Sequence, residues 1–532
     1  MSKKTRLLSG LMSLVLLFGL AACGSNSAGS GSSAPVSSAA ASSAPAAENE
    51  DVMVFAASRY ACPGKDDAFY CSSALGVWES LIATGPGDKP TGVLAESYES
   101  SDDAKTWTFH LRQGVVFHDG EPFNADAVLF NIERMKKELS SGYTPLQYDR
   151  SFPGLESIDK EDDYTLVFHF AEPVPDLEIS MRGYGSPMFS PKCIAEDGTF
   201  SGPAMGTGPF KLMDIDPEQS VTVERFDDYW GEPSGTKYVQ FKTIKDSNTR
   251  VTALKAEEVM GVVDLGAIEP AMAMELIKDE RFDISTYKSS MTHLIAVNRQ
   301  KFPFNDQRMT EAINLIIDRQ LIVDSIFSGF GVPTTNVINH TSPYYLETPI
   351  EHDVEQAKAL AAEVLGDQRV PVKLVLRQKD LERYPQEEVA VYLKDVLKDI
   401  GLDIDIQILE TELYGETIPA GDWDMTVNKR QLPGTTIEII ESFLASDGYS
   451  NADYYHLGYN NPAADALIEE VRYEMDPDKR QELYDELQTM LYDEMLVIPY
   501  MHDESLVAFN KKIGGFGLSY SGTTVPTAYW VS

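Results

Sequence analysis

Residues 372–408 confine the second half of the chain to an α/β arrangement. Val372-Lys373-Leu374-Val375-Leu376 follows Pro371 as a short apolar run, the pattern of a buried strand. Val389 to Ile400 repeats its apolar residues at helical spacing, and Gly401 can take the left-handed conformation that ends a helix. Leu402 to Ile408 then alternates apolar and polar residues, as a strand with one buried face does. Strand, helix, strand in that order is the grammar of an α/β lobe. At 532 residues, with 43% hydrophobic and 10% aromatic content, the chain exceeds one compact core and predicts two or more folded lobes.

The first half reads as a mixture of strands and short helices. Val52 to Ala56 is a buried strand, Thr106 to Leu111 and Tyr164 to Phe170 alternate as strands, and Val115-Val116-Phe117 after Gly114 reads as a hairpin partner of Thr106 to Leu111. Trp78 to Ile82 reads as the beginning or end of a helix. Asp119-Gly120 marks a turn, and Asn124 caps a helix carrying Ala127, Val128, Phe130, Asn131 and Met135. Gly206, Gly208 and Pro209 frame a tight bend, and Asp228-Tyr229-Trp230-Gly231 reads as an aromatic anchor in a core. Further on, Ala357 to Leu365 is a helix, Asp476 caps another that runs through Met495, and Ile498-Pro499-Tyr500 returns the chain.

A net charge of −39 argues against nucleic acid and anionic lipid as partners, because phosphates must be met by a local excess of Lys and Arg. The sequence contains no Gly-x-Ser-x-Gly elbow, no His-Glu-x-x-His and no Walker loop, so no catalytic residue and no cofactor is expected. His118-Asp119-Gly120 reads as a turn, no Cys-x-x-Cys pair supports zinc, and no metal ligand is predicted. Cys62 and Cys71 lie close together around Pro63-Gly64 and are expected to form a local disulfide, with Cys193 left over.

Lys3, Lys4 and Arg6, the apolar stretch Leu7 to Leu20, and Leu20-Ala21-Ala22-Cys23-Gly24 together resemble the bacterial lipoprotein signal. That resemblance implies cleavage after residue 22 and a lipid on Cys23; an ordinary secretion signal with an incidental cysteine is the other reading. Residues 23–50, rich in Gly, Ser, Ala and Pro, would then tether an exported body to the outer face of the cytoplasmic membrane.

Longer blocks carry a second resemblance. Leu94-Ala95-Glu96-Ser97-Tyr98, the run from Trp107 to Val128, Gly206 to Leu212 with Val223 to Gly231, and Ala312 to Gln320 with Gly329-Phe330-Gly331 resemble, in order and spacing, the peptide/nickel family of ABC-importer solute-binding proteins, family 5. The resemblance implies a two-lobe periplasmic-binding-protein-like α/β fold of class II, cluster C type, with a hinge and an interlobe cleft. Residues 51–290 and 500–532 would form lobe I and residues 291–499 lobe II. It implies a membrane-anchored extracytoplasmic protein, expected to be a monomer, that captures an oligopeptide or a nickel chelate and delivers it to ABC permease subunits.

Ligand contacts are then expected on both lobes. Arg59 and Tyr60 follow the first strand, and Arg182 and Tyr184 lie in a Gly-rich loop where a guanidinium suits a carboxylate. Lys429 and Arg430 lie on the strand and loop expected to reach the cleft from the second lobe, with Tyr454 as a wall. Relatives follow that strand with an aromatic and an Asp-Pro pair. Here the chain has Pro433-Gly434-Thr435-Thr436, so the substrate stays open between peptide and chelate. The loop around Arg182 and the Phe123 to Asp126 run tilt it toward nickel-type relatives. With eight histidines scattered singly, a metal would have to bring its own chelator. A ligand-sensing receptor on the same fold and a surface hydrolase are the competing readings.

Overall fold

The computed structural model describes residues 52–61, 75–137, 148–263, 266–381, 383–431, 435–520 and 522–531. Cys23, the tether and the Cys62–Cys71 pair lie outside them, as do Pro433 and Gly434. Among the described residues, eleven strands form one sheet. They are β1 (Val52–Ala57), β2 (Phe210–Asp216), β3 (Ser220–Arg225), β4 (Tyr238–Thr243), β5 (Gly261–Val262), β6 (Phe282–Val297), β7 (Gly331–Pro333), β8 (Val370–Arg377), β9 (Leu402–Leu409), β10 (Met425–Gln431) and β11 (Ile498–Asn510). Their order is β2-β3-β4-β1-β5-β11-β6-β10-β8-β9, with β7 paired to β11.

Two long strands join the halves of this sheet. β6 and β11 are antiparallel partners from Phe282 opposite Asn510 to Lys288 opposite Glu504. The register then slips, so that Ser289, Ser290 and Met291 lie across from Asp503 alone, before Thr292 meets His502. Before the slip β11 holds β5, through Gly261 opposite Phe509; from the end of the slip onward β6 holds β10, from Met291 opposite Gln431 to Val297 opposite Met425.

The cores divide in the same way. Met53, Phe55, Val221, Val223, Val239 and Phe241 pack with Val507 and Phe516 on one side of the slip. Ile295, Val297, Leu374, Leu376 and Leu402 pack with Ile498 and Tyr500 on the other. A separate four-stranded sheet, in the order Ala95–Ser100, Thr106–Leu111, Thr165–Phe170, Leu155–Asp162, turns Trp107, Phe109 and Phe168 onto the helix α1 (Ala125–Met135).

Local signals hold where capping chemistry decides. Asn124 Oδ1 accepts from the Ala127 N–H at 3.1 Å and starts α1. The helices α2 (Val354–Leu365) and α3 (Gln386–Leu397) follow, and Gly401 at φ +82° ends the 3₁₀ turn that extends α3. α4 (Thr436–Leu444) and α5 (Pro477–Glu494) lie further along the second half, α5 starting where Asp476 accepts from the Asp478 and Lys479 N–H groups.

Two expectations are corrected. Trp78 to Ile82 is not helical: Glu79–Ser80 pairs with Pro187–Met188 and Ile82–Thr84 with Pro90–Gly92, so tertiary pairing overrides a run whose apolar residues suit a helix face. Val115 to Phe117 is not the hairpin partner of Thr106–Leu111, both edges of which are taken by Ala95–Ser100 and Thr165–Phe170. It folds back on itself instead, with the Phe117 N–H donating to the Glu121 carbonyl at 2.8 Å across the Asp119-Gly120 turn.

The glycine-rich bend is a close approach. A Cβ on Gly208 would lie 2.3 Å from the Gly76 carbonyl oxygen, and one on Gly206 2.4 Å from that of Val77. The bend brings Thr207 to the carboxylate of half-buried Glu79, which accepts from Thr207 Oγ1 at 2.9 Å, Tyr229 Oη at 2.8 Å and Trp230 Nε1 at 2.7 Å. Sequence blocks far apart therefore meet on one side chain.

Candidate functional site: a charged cleft at the strand ends

Parallel strands leave their carboxyl ends together, and in open α/β sheets ligands bind beyond those ends. β1 is parallel to β4 and β5, and β8 is parallel to β9 and β10. Arg59 follows the end of β1 and Gly266 follows β5; Arg377 ends β8, and Arg383 and Tyr384 come soon after it. The two sets converge. A Cβ on Gly266 would lie 3.1 Å from Arg383 Nη2, so the guanidinium rests against the glycine backbone, and the Arg59 charge acts on the Tyr384 hydroxyl.

Register determines which side chains share this place. Lys429 lies opposite His293, and His293 opposite Met501, so their side chains share one face with Asp503 two residues along β11. Arg430, one residue on, belongs to the other face. Its Nη2 donates to Ser442 Oγ on α4 at 3.1 Å, and its guanidinium lies 5.8 Å from the Phe443 ring.

On the Lys429 face, Asp380 accepts from Arg377 Nε at 2.9 Å and Nη2 at 2.8 Å and also pairs with Lys429 Nζ. Burial pushes the Asp380 carboxyl up, but the bonds from Arg377 and the Lys429 charge outweigh it and hold it below the usual range. Burial pulls the Lys429 ammonium down, against the pull of Asp380. Lys429 Nζ lies 4.9 Å and the Arg383 guanidinium 5.7 Å from the Tyr384 ring centroid. Burial raises Asp503 to about 7, with Arg383 opposing. His293 Nε2 stands 3.9 Å from Asp503 Oδ1, but burial lowers this imidazole to about 3, so it is neutral. Arg59, Arg377, Arg383 and Lys429, four cations, thus gather with three carboxyl groups, Asp380, Asp503 and Glu504, in a chain of net charge −39.

A second cluster borders the register slip. Asp88 accepts from Tyr287 Oη at 2.8 Å, with Lys288 Nζ 3.7 Å away. Half-buried Arg182 donates to the carbonyls of Ile179 at 3.3 Å and Asp88 at 3.5 Å. Burial lowers its pKa, opposed by Glu178 and Asp88. Tyr184 belongs to the Gly183–Gly185 turn, and its side chain lies outside the description. Tyr60 is buried in the core with Met53 and Phe55. Tyr454 is half-buried, stacked on Tyr449 at 5.6 Å and edge-on to Tyr455 at 4.8 Å.

The structure thus gathers Arg59 and Lys429, places Arg182 in a neighbouring cluster, and turns Arg430 away. Sequence reasoning missed Arg377, Asp380, Arg383, Tyr384 and Asp503. The available signal was the charged run Arg377 to Arg383 directly after an apolar strand, where a carboxyl-end loop begins.

Two groups of contacts tie the halves together away from these strand ends. Arg150 Nε donates to Glu438 Oε1 at 3.0 Å, with a second bond from Nη2 to Oε2. Asp176 Oδ1 accepts from Arg480 Nη1 at 2.7 Å and Tyr344 Oη at 2.9 Å. Among the described residues, no group of three or more His, Cys, Asp or Glu stands close enough to hold a metal ion. His118 Nε2 is 2.9 Å from the Gly208 carbonyl, and burial lowers this imidazole to about 4. No described helix is long and apolar enough to cross a membrane.

Two α/β halves joined by paired crossover strands, with facing strand ends between them, define the class of two-lobe periplasmic binding proteins. The profile described as bacterial extracellular solute-binding proteins, family 5 Middle, matches residues 89–436, and the chain belongs to that family. It is 25% identical to the glutathione-binding protein GsiB of Salmonella typhi, over 89% of this chain and 93% of that one. It is also 25% identical to the probable D,D-dipeptide-binding periplasmic protein DdpA of Escherichia coli K12, over 81% of this chain and 83% of that one.

Among solved structures, NikA of Brucella suis in complex with Fe(III)-EDTA superposes at a TM-score of 0.79 with 22% identity, covering 90% of this chain and all of that one (100%). DppA of Helicobacter pylori in complex with the peptide STSA does so at 0.70 with 23% identity, covering 90% and 98%. At those identities the superpositions show the fold.

Proposed function

We propose that this protein captures a small carboxylate-bearing solute, a short peptide or a metal chelate, in the cleft between its lobes and delivers it to the permease of an ABC importer. The observation that carries this reading is the cation excess at the converging strand ends, where guanidinium and ammonium groups are held by neighbours and aimed at one place. Lobe I comprises residues 51–290 and 500–532 and lobe II residues 291–499; the register slip after Lys288 and the division of the cores support these limits. A lipid on Cys23 anchors the exported chain to the outer face of the cytoplasmic membrane. Arg59, Arg383 and Lys429 meet the ligand carboxylate, with Arg182 and Tyr184 at the border of the site. The relatives named for glutathione, a D,D-dipeptide and Fe(III)-EDTA span both candidate solutes and do not choose between them.

Thermal melting of the purified chain against di- and tripeptides, nickel salt and nickel with histidine tests this reading. A ligand that binds the folded state raises the melting point by mass action. The expected result is a shift with at least one carboxylate-bearing probe that falls at least tenfold in apparent affinity in Arg383→Ala. Shifts that are unchanged in Arg383→Ala and in Lys429→Ala would sink it.

A further inference from the structure

Tyr449 and Tyr454 are built as a rigid aromatic platform beside the cation cluster. They begin and end the π-helical segment Tyr449–Tyr454, a geometry that recurs at functional sites. Between them Ser450 and Asn451 are fully buried. Ser450 Oγ and Ser442 Oγ on α4 are 2.8 Å apart, and Asn451 Nδ2 donates to the carbonyls of Ala445 and Tyr459, each at 2.8 Å. Gly448, just before the segment, lies so close to α4 that a Cβ there would meet the Glu441 carbonyl oxygen at 2.2 Å.

These anchors fix the backbone, with the Tyr449 ring exposed and the Tyr454 ring half-buried behind it. Tyr449 is 54% exposed although its ring is stacked on Tyr454, 5.6 Å away at 27°. The outer face of the Tyr449 ring is thereby held in one place and left accessible to a planar group. The platform also connects to the cleft. Asn428 Nδ2 donates to both Tyr455 Oη at 2.9 Å and Tyr414 Oη at 3.0 Å. The Arg377 guanidinium lies 5.9 Å from the Tyr414 ring, and Tyr455 packs edge-on against Tyr454.

We propose that Tyr449 and Tyr454 form a stacking subsite for a planar, π-bearing group of the solute, an aromatic peptide side chain or the imidazole of a chelator, whose carboxylate reaches the neighbouring arginines. The inference rests on the cleft reading above and adds the class of ligand. Planar stacking outweighs aliphatic contact by about 0.5–1.5 kcal/mol, which corresponds to a preference of roughly two- to tenfold.

The test is saturation-transfer NMR on the full exported chain with 3-phenylpropionate and hexanoate at equal concentration, in the parent, Tyr449→Ala and Tyr449→Phe. Melting curves with Ala-Phe, Ala-Leu and nickel-histidine are recorded alongside. Exposed Tyr449 can be truncated without emptying a core, and circular dichroism checks the fold. Expected is a several-fold stronger signal from the aryl acid, falling to the hexanoate level in Tyr449→Ala and kept in Tyr449→Phe. Equal signals in the parent, or an aryl preference that survives Tyr449→Ala, overturn the subsite. If no peptide or nickel chelate shifts melting while the aryl preference behaves as expected, the subsite stands and the transport reading falls. If Ala-Phe and Ala-Leu bind equally and Tyr449→Ala changes neither, the subsite falls and the transport reading stands.

Discussion

Replacing Glu79 with Gln should change the sign of its effect on stability between acid and alkaline pH. Burial raises the Glu79 carboxyl from its ordinary value of 4.5 to about 7, even though Trp230, Tyr229 and Thr207 donate to it and the Arg112 charge favours ionisation. A carboxyl whose folded pKa exceeds its unfolded value binds its proton more tightly in the folded state. Below the unfolded value both states hold the proton and nothing is lost. Between that value and about 7 the unfolded chain releases it first, so stability declines with rising pH until the folded carboxyl also ionises. A shift of this size costs roughly 3 kcal/mol once the pH is above both values.

Gln carries no charge and escapes that cost. Its amide must face its oxygen to Trp230, which can only donate, and its NH₂ to a hydroxyl that must rotate to accept, a loss of about 1 kcal/mol. The variant should therefore be about 1 kcal/mol less stable than the parent at pH 4.5 and about 2 kcal/mol more stable at pH 8. Urea unfolding at both pH values, followed by tryptophan fluorescence, measures this. A variant destabilised equally at both pH values would show that Glu79 ionises near its ordinary value, and the argument from burial would fail.

Two further predictions concern the cleft and its borders. Asp380→Asn leaves the largely buried Lys429 ammonium beside Arg377 without a shared carboxylate and should cost about 3 kcal/mol in urea unfolding, with Lys429→Met recovering about half of it; a cost that simply adds in the double variant would mean that the pair does not interact. Glu438→Ala combined with Asp176→Ala removes the contacts to Arg150 and Arg480 that tie the halves together, and small-angle scattering should show a larger radius of gyration in the double variant, whereas an unchanged radius would mean that these pairs do not restrain opening.

The family resemblance implied the two-lobe fold, and what the individual residues added was local. Asn124, Gly401 and Asp476 act on the few residues around them, so their caps appear in the structure where the spelling puts them. Trp78 to Ile82 misled because its apolar residues fit a helix face as well as two short strands; Ile82–Thr84 pairs nearby with Pro90–Gly92, while Glu79–Ser80 pairs with Pro187–Met188, more than a hundred residues away. The same distance hid Glu79: Gly206-Thr207-Gly208 and Tyr229-Trp230 read as a bend and a core anchor, and nothing in either block says that they meet on a carboxylate. Lys429 and Arg430 look equivalent in sequence, and only the pairing of β10 with β6 assigns them to opposite faces.

The register slip explains why the titrating carboxylate is where it is. In a regular ladder each residue of β11 would have one partner on β6, but three residues of β6 cross the gap opposite Asp503 alone. β7 occupies the other edge there, with Gly331 opposite Asp503. Asp503 therefore lies on a strand paired along both edges, and its side chain projects to the sheet face that carries His293 and Lys429. The neutral imidazole of His293 adds no charge, so Arg383 and Lys429, both from the second lobe, are the cations that favour its ionised form. Opening the lobes would draw Arg383 away from Gly266 and change how second-lobe cations face the crossover strands. If Arg383 meets the ligand as proposed above, a bound carboxylate would compete with Asp503 for it.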